Sequence, residues 1–212
     1  MEGSSLYRFV LSFRRGHFGL AAFLVSILAG CFPAVSEATI QVRWLNSARQ
    51  VLGETDTLLD QNGQEIRLGV SGQVTMLFFG FTQCAHVCPI ALQRLQNGLN
   101  QLQQAERNRA RVLFFTVDPS YDSPPVLRQY LAKFSPEFKG VIAQQAVQDR
   151  VVKNLAAYTS GFGRNISHTE YLYFFDQSGK WIGFTEVPIL ADDLAGAIRE
   201  GLGRIGLATI KS

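Results

Sequence analysis

Residues 74–89 read VTMLFFGFTQCAHVCP. The run VTMLFF (74–79) is apolar and rich in β-formers, as in a short strand buried on both faces. Two cysteines, Cys84 and Cys88, follow at its C-terminal end. Pro89 comes next, and then Leu92, Leu95, Leu99 and Leu102 recur at helical spacing. Proline fits a first helical turn, where its missing N–H would have no partner anyway. The stretch therefore reads as strand, cysteine loop, helix. Sulfurs four residues apart that enter a helical turn face the same way. They meet the positive end of the helix, which favours thiolate over thiol. A structural disulfide, a redox couple and a metal site all remain open at this point. A disulfide closing so small a loop removes little chain entropy and stabilises modestly.

Working outward, RVLFFTV (111–117) is a second buried strand. Ser123 followed by Pro124 starts a helix whose inward residues are Leu127, Tyr130, Leu131 and Phe134. GVIA (140–143) is a further short strand, and Val147, Val151, Leu155 and Tyr158 predict a helix ended by Gly161. YLYFFDQSGKWIGFTEV (171–187) predicts a hairpin around Asp176–Gly179. Asp193 is expected to cap a last helix that buries Leu194, Ile198, Leu202 and Ile205. Upstream, LLDQNGQEIRL (58–68) predicts an N-terminal hairpin around Asp60–Gly63, since Asn-Gly supplies positive φ. The fold class is α/β: a central mixed sheet flanked by helices, with an N-terminal β-hairpin. A cysteine pair between the first core strand and its helix makes it similar to the thioredoxin fold. In open α/β sheets chemistry sits beyond the carboxyl ends of strands. That places Cys84, Cys88 and Asp118 at one edge.

The 212 residues are 47% hydrophobic and 17% charged, which suits a packed core rather than a disordered chain. Of the formal net charge of +3, Arg8, Arg14 and Arg15 against Glu2 account for +2. No basic patch with interleaved aromatics is left, so nucleic acid is not an expected partner. Those arginines precede FGLAAFLVSILAG (18–30), which has the size of a signal h-region and is short for a membrane span. The segment LAGC (28–31) resembles the lipobox of bacterial lipoproteins, which implies cleavage before Cys31 and lipid on its sulfur. A signal anchor containing a buried cysteine is the plainer alternative. The expected organisation is a lipoprotein signal peptide over 1–30, a membrane tether over 31–50 and a thioredoxin-like domain over 51–212. The domain would then face the periplasm from a lipid-anchored position in the cell envelope, where disulfides persist. With Cys31 lipidated, Cys84 and Cys88 are the only thiols left, and His86 and His168 the only histidines. Met76 would be the only methionine, which excludes a methionine-rich copper site.

Three segments in order, FFGFTQCAHVCP (78–89), FFTVDPSYDSPPVLRQYLAKF (114–134) and SHTEYLYFFDQSGKW (167–181), resemble the Sco/SenC family over residues 50–205. The resemblance implies a thioredoxin-fold, membrane-tethered copper metallochaperone. Its implied role is to assist assembly of the CuA site of cytochrome c oxidase. The implied partner is the copper-bearing subunit of that oxidase or another periplasmic copper protein. The implied metal ligands are Cys84, Cys88 and His168, with a copper ion as the group bound. Thiolates select soft Cu(I), and imidazole serves either oxidation state of copper. Asp118 and Asp122 match the family's D-x3-D pair and would orient the site or its partner. Equally, they hold the turn before Ser123 and Pro124.

The sequence departs from the family pattern in three places. Ala85 and His86 stand where many members have Pro-Asp, Tyr121 stands where relatives often have arginine, and the loop 161–167 is short. His86 is then either a loop histidine or a further ligand. The rival function is a periplasmic thiol–disulfide oxidoreductase using the Cys84/Cys88 couple as nucleophile and resolving thiol. It leaves His168 without a task. HVCP superficially resembles a peroxiredoxin turn, but Ala85 replaces the threonine that chemistry needs. Zinc held by two cysteines, one histidine and water is chemically allowed by the same residues.

Overall fold

Strand β4 (Val74–Gly80) is buried at all seven positions. Its side chains alternate between two cores, as the two-residue strand period requires. Val74, Met76 and Phe78 point into one core, and Leu77 and Phe79 into the other. The computed structural model describes residues 41–187 and 189–209. The eight-stranded sheet has the order β1-β10-β9-β4-β5-β6-β2-β3. Its members are β1 (Arg43–Arg49), β2 (Leu58–Asp60), β3 (Glu65–Ile66), β4, β5 (Ala110–Thr116), β6 (Lys139–Ala143), β9 (Tyr171–Phe175) and β10 (Trp181–Glu186). β4, β5 and β6 are parallel, while β9 runs antiparallel to β4. This is the mixed, thioredoxin-like α/β sheet expected from the sequence, with helices covering both faces.

Helices α1 (Val87–Asn100), α3 (Pro124–Leu131) and α5 (Ala191–Thr209) cover the first core. They bury Leu92, Leu95, Leu127, Leu131, Leu194 and Ile198 there. Helix α4 (Gln145–Asn154) covers the other face with Val147 and Val151. The short α2 (Gln104–Arg107) is closed by a reciprocal capping box between Gln103 and Glu106. The hairpin β2–β3 turns at Gly63, whose φ of 76° is open to glycine. Asp60 Oδ1 accepts the Asn62 and Gln64 N–H groups at 2.7 and 3.0 Å and fixes that turn.

The structure changes three expectations. Strand β1 lies inside residues 31–50, the stretch read as tether, and pairs antiparallel with β10. Its residues are mostly exposed, so an edge strand here carries no apolar alternation to be read. Helix α4 stops at Asn154 instead of running toward Gly161. Leu155 ends it, Ala156 turns the backbone at φ 52°, and Tyr158 is 56% exposed rather than packed. Helix α5 begins at Ala191, so Asp193 lies within its first turn instead of before it. There its charge still faces the positive helix end. The lipidation expected at Cys31 and the signal over 1–30 lie outside the described residues. Among the described residues, no helix is long and apolar enough to cross a membrane.

Candidate metal centre

The cysteine loop leaves β4 at Gly80 and enters α1 at Val87. Gly80 is required by close packing: a Cβ there would stand 2.4 Å from the Phe114 ring and 3.1 Å from Cys88 Sγ. His86 is the N-cap of α1, but no side chain caps the helix. Cys84 Sγ takes that place and accepts the Cys88 backbone N–H at 3.5 Å. Both cysteines are free thiols, Cys84 half-buried and Cys88 buried. A hydrogen bond from the Cys88 side chain lowers the Cys84 thiol to about 5, against a smaller opposing effect of burial. The backbone N–H groups of Cys88, His86 and Val87 add to the lowering. Cys88 moves strongly the other way, because its proton is held by Cys84 and because burial disfavours its charge. At neutral pH the pair is an accessible Cys84 thiolate with a protonated Cys88 beneath it.

His168 arrives from the opposite side. It belongs to β8 (Ser167–His168), which pairs with β7 (Thr159–Ser160) in a two-stranded ladder opposing Thr159 to His168. The side chain is buried, and the rings of Phe78 and Phe81 meet it edge-on at 6.1 and 6.0 Å. Its Nδ1 is 3.0 Å from the Thr169 carbonyl oxygen. A carbonyl can only accept, so Nδ1 carries the proton and Nε2 keeps a free lone pair. That Nε2 lies 3.9 Å from Cys88 Sγ, across eighty residues of chain. Cys84 and His168 line a common space, and the buried Cys88 Sγ lies behind it, 3.9 Å from Nε2; two sulfurs and one imidazole are a donor set that suits copper. Among the described residues no group of three or more His, Cys, Asp or Glu side chains is placed to hold a metal ion as it stands.

The space is a cavity of about 490 Å³, lined by Phe81, Cys84, His86, Tyr158, Arg164 and His168 among others. Asp122 does not line it. Its fully buried carboxylate accepts the backbone N–H of Thr82 at 3.1 Å, the Thr82 hydroxyl, and the Thr116 hydroxyl at 2.6 Å. Burial raises its carboxyl above the usual range, opposed by those hydrogen bonds. Asp122 thereby anchors the start of the cysteine loop to the end of β5. Asp118 instead accepts the Ser120 hydroxyl at 2.6 Å, while its carbonyl accepts the N–H groups of Tyr121 and Asp122. It sits in the turn before α3.

The SCO1/SenC family model matches residues 46–203. The chain belongs to the SCO1/SenC family. An SCO2-like protein of Rickettsia typhi is 30% identical to it over 157 residues, which span 70% of this chain and 76% of that protein. Copper-bound yeast Sco1 superposes with a TM-score of 0.62 at 27% identity, covering 71% of this chain and 88% of that one. Copper-bound ScoI of Bradyrhizobium japonicum does so with a TM-score of 0.61 at 25% identity, covering 70% and 98%.

In this SCO1/SenC chain some site residues carry no sequence signal. Thr82 and Thr116 are ordinary threonines in apolar surroundings, and only the fold sets both against Asp122. Arg164 donates to Gln83 Oε1 at 3.1 Å and so ties the histidine loop to the cysteine loop. Tyr158, expected in the core, lines the cavity.

Proposed function

We propose that the protein binds a copper ion as cargo through Cys84, Cys88 and His168 and passes it to a partner. The recipient is the copper-bearing subunit of cytochrome c oxidase, where copper builds the CuA site, or another periplasmic copper protein. Membership in the SCO1/SenC family and two copper-bound solved relatives support copper handling. The observation that carries the ligand set is the 3.9 Å approach of His168 Nε2 to Cys88 Sγ. In a redox pair that imidazole would serve at most as a base for Cys88, whereas in a metal site its lone pair and both sulfurs act together. Cys84 is already a thiolate at neutral pH, and metal binding displaces the proton from Cys88. Asp122 keeps the loop in place through Thr82, and Asp118 holds the adjoining turn. The cavity leaves the ion open to a recipient's ligands. A lipid on Cys31 would keep the domain at the membrane, facing the periplasm.

Anaerobic Cu(I) titration of the full chain against a competing chelator tests this reading. Replacing His168 by Ala should weaken binding by at least about tenfold, since loss of even an outer-shell partner costs a metal site that much. Unchanged affinity removes His168 from the set.

One observation favours a second activity on the same residues. An accessible thiolate above a buried thiol is the arrangement of a thiol–disulfide oxidoreductase. Cys84 would attack a partner disulfide and form a mixed disulfide, releasing one partner thiolate. Cys88, its proton passing to the partner thiolate first released, would then displace the second, leaving a Cys84–Cys88 disulfide and a reduced partner. The two roles are separated by His168→Ala, which should spare the disulfide exchange.

A further inference from the structure

His86 stands between the two cysteines and is exposed. It occupies the N-cap position of α1, yet its side chain caps nothing. Its imidazole has no hydrogen bond or ion pair among the described residues. It lines the same cavity as Cys84 and His168. The cavity's volume of about 490 Å³ is many times the ~30 Å³ share of one water molecule in the liquid, which leaves an imidazole room to turn inward. A free nitrogen donor thus shares one cavity with Cys84 and His168, and the buried Cys88 Sγ lies 3.9 Å behind His168 Nε2.

The two oxidation states of copper ask for different numbers of ligands. Cu(I) is soft and is satisfied by two thiolates and an imidazole. Cu(II) prefers a tetragonal, four-coordinate arrangement that includes nitrogen donors. Glu170 also lines the cavity and is the competing oxygen donor for Cu(II); a fourth bond from it would leave only one nitrogen ligand in the wild type. We infer that His86 is a fourth copper ligand, which closes on Cu(II) and is released when the ion is Cu(I). The inference rests on the reading that Cys84, Cys88 and His168 hold the metal. His86 then makes the site selective between oxidation states. Its exposed ring adds the last bond to Cu(II) and withdraws to leave reduced copper open toward a recipient. The selectivity would come from the position where this chain carries Ala85-His86.

The test uses the full-length reduced protein and its His86→Ala, His86→Gln and His168→Ala variants. Each receives one equivalent of Cu(II) under anaerobic conditions and is frozen at once, before the thiolates are oxidised. Nitrogen couplings in the electron paramagnetic resonance spectrum count the imidazole ligands. Wild type should show two nitrogens, and each single variant one. The two His86 variants should bind Cu(II) at least about tenfold more weakly, a change of ~1.4 kcal/mol, while Cu(I) affinity stays within about twofold. A His86→Ala spectrum identical to wild type overturns the inference. So does an equal loss of Cu(I) and Cu(II) affinity, which would make His86 an ordinary ligand of both. If His168→Ala leaves Cu(I) binding unchanged, the three-ligand reading itself falls, whatever the His86 variants show.

Discussion

The loop that carries the cysteines and the loop that carries His168 are built to different standards of rigidity. The first joins a fully buried strand to a fourteen-residue helix. Its entry is clamped by the buried Asp122, and Gly80 seats Cys88 against the backbone. The second follows a helix that stops early and turns at Ala156. It carries Phe162 at 88% exposure and is held by a two-residue ladder and by the Arg164–Gln83 hydrogen bond. One half of the site is fixed by core packing; in the other, His168 itself is buried against Phe78 and Phe81, while the chain leading to it is held by the short ladder and a few hydrogen bonds. In the proposed copper carrier the difference would have a use: the two sulfurs would stay in place while the chain leading to His168 yields to a recipient. Local stability sorts in this way wherever an element must open.

Replacing Cys88 by Ala strikes the rigid half and should have the largest effect. It removes a soft donor and the proton that lowers Cys84. Cu(I) affinity should fall by more than about a hundredfold, roughly 3 kcal/mol. The Cys84 thiol should also titrate well above 5, read from its alkylation rate against pH. In the wild type that rate should be half-maximal near pH 5 and flat above pH 7, with Cys88 unreactive throughout. The stability sign follows. Cys84 titrates lower in the folded chain than the ordinary thiol value of 9.0. Its contribution is therefore complete above that value and is lost as pH falls toward about 5.

Asp122→Ala tests the clamp. Two hydroxyls and one backbone N–H lose their acceptor, which costs about 2 kcal/mol and lowers Tm by roughly 4–8 °C in thermal melts. Copper affinity should drop with it. A variant with unchanged Tm and weakened copper binding would instead point to direct contact with the ion. Because burial raises the Asp122 carboxyl, its contribution is most favourable in acid and diminishes as pH rises through its folded value. The penalty for its buried charge should be absent from Asp122→Ala at neutral pH.

Arg164→Ala strikes the adaptable half and should have the smallest effect. An exposed neutral acceptor shared with an arginine contributes only about 0.5–1 kcal/mol. Copper should leave about twofold to fivefold faster in chelator-chase kinetics, with Tm nearly unchanged. If Arg164→Ala destabilises the fold as much as Asp122→Ala, the two loops are not held differently and the comparison fails.

The rigid half was also the legible half. The apolar run 74–79, the cysteines and the leucines of α1 stand next to one another in the chain, so pattern and spacing reveal them. The resemblance in three ordered motifs added His168, and the fold brings that residue to Cys88. The end of α4 was misread because Leu155 and Tyr158 continue a helical period by accident. Leu155 is buried after the helix has ended, and Tyr158 belongs to the cavity wall. Strand β1 was missed because an exposed edge strand has no buried face to imprint an alternation.

The amino-acid sequence by itself determined the sheet's buried strands, the order of helices between them and the position of two thiols at a strand's end. These depend on hydrophobic period and on neighbours a few residues apart. Only the tertiary structure decided that Cys84 is the thiolate and Cys88 its proton donor, that Asp122 holds Thr82, and that His168 offers Nε2 rather than Nδ1. Each of these turns on a hydrogen bond of definite direction. The Cys84–Cys88 and His168–Thr169 bonds join near neighbours whose side chains only the folded backbone orients, and the Asp122–Thr82 bond joins groups forty residues apart that meet because β4 and β5 lie side by side.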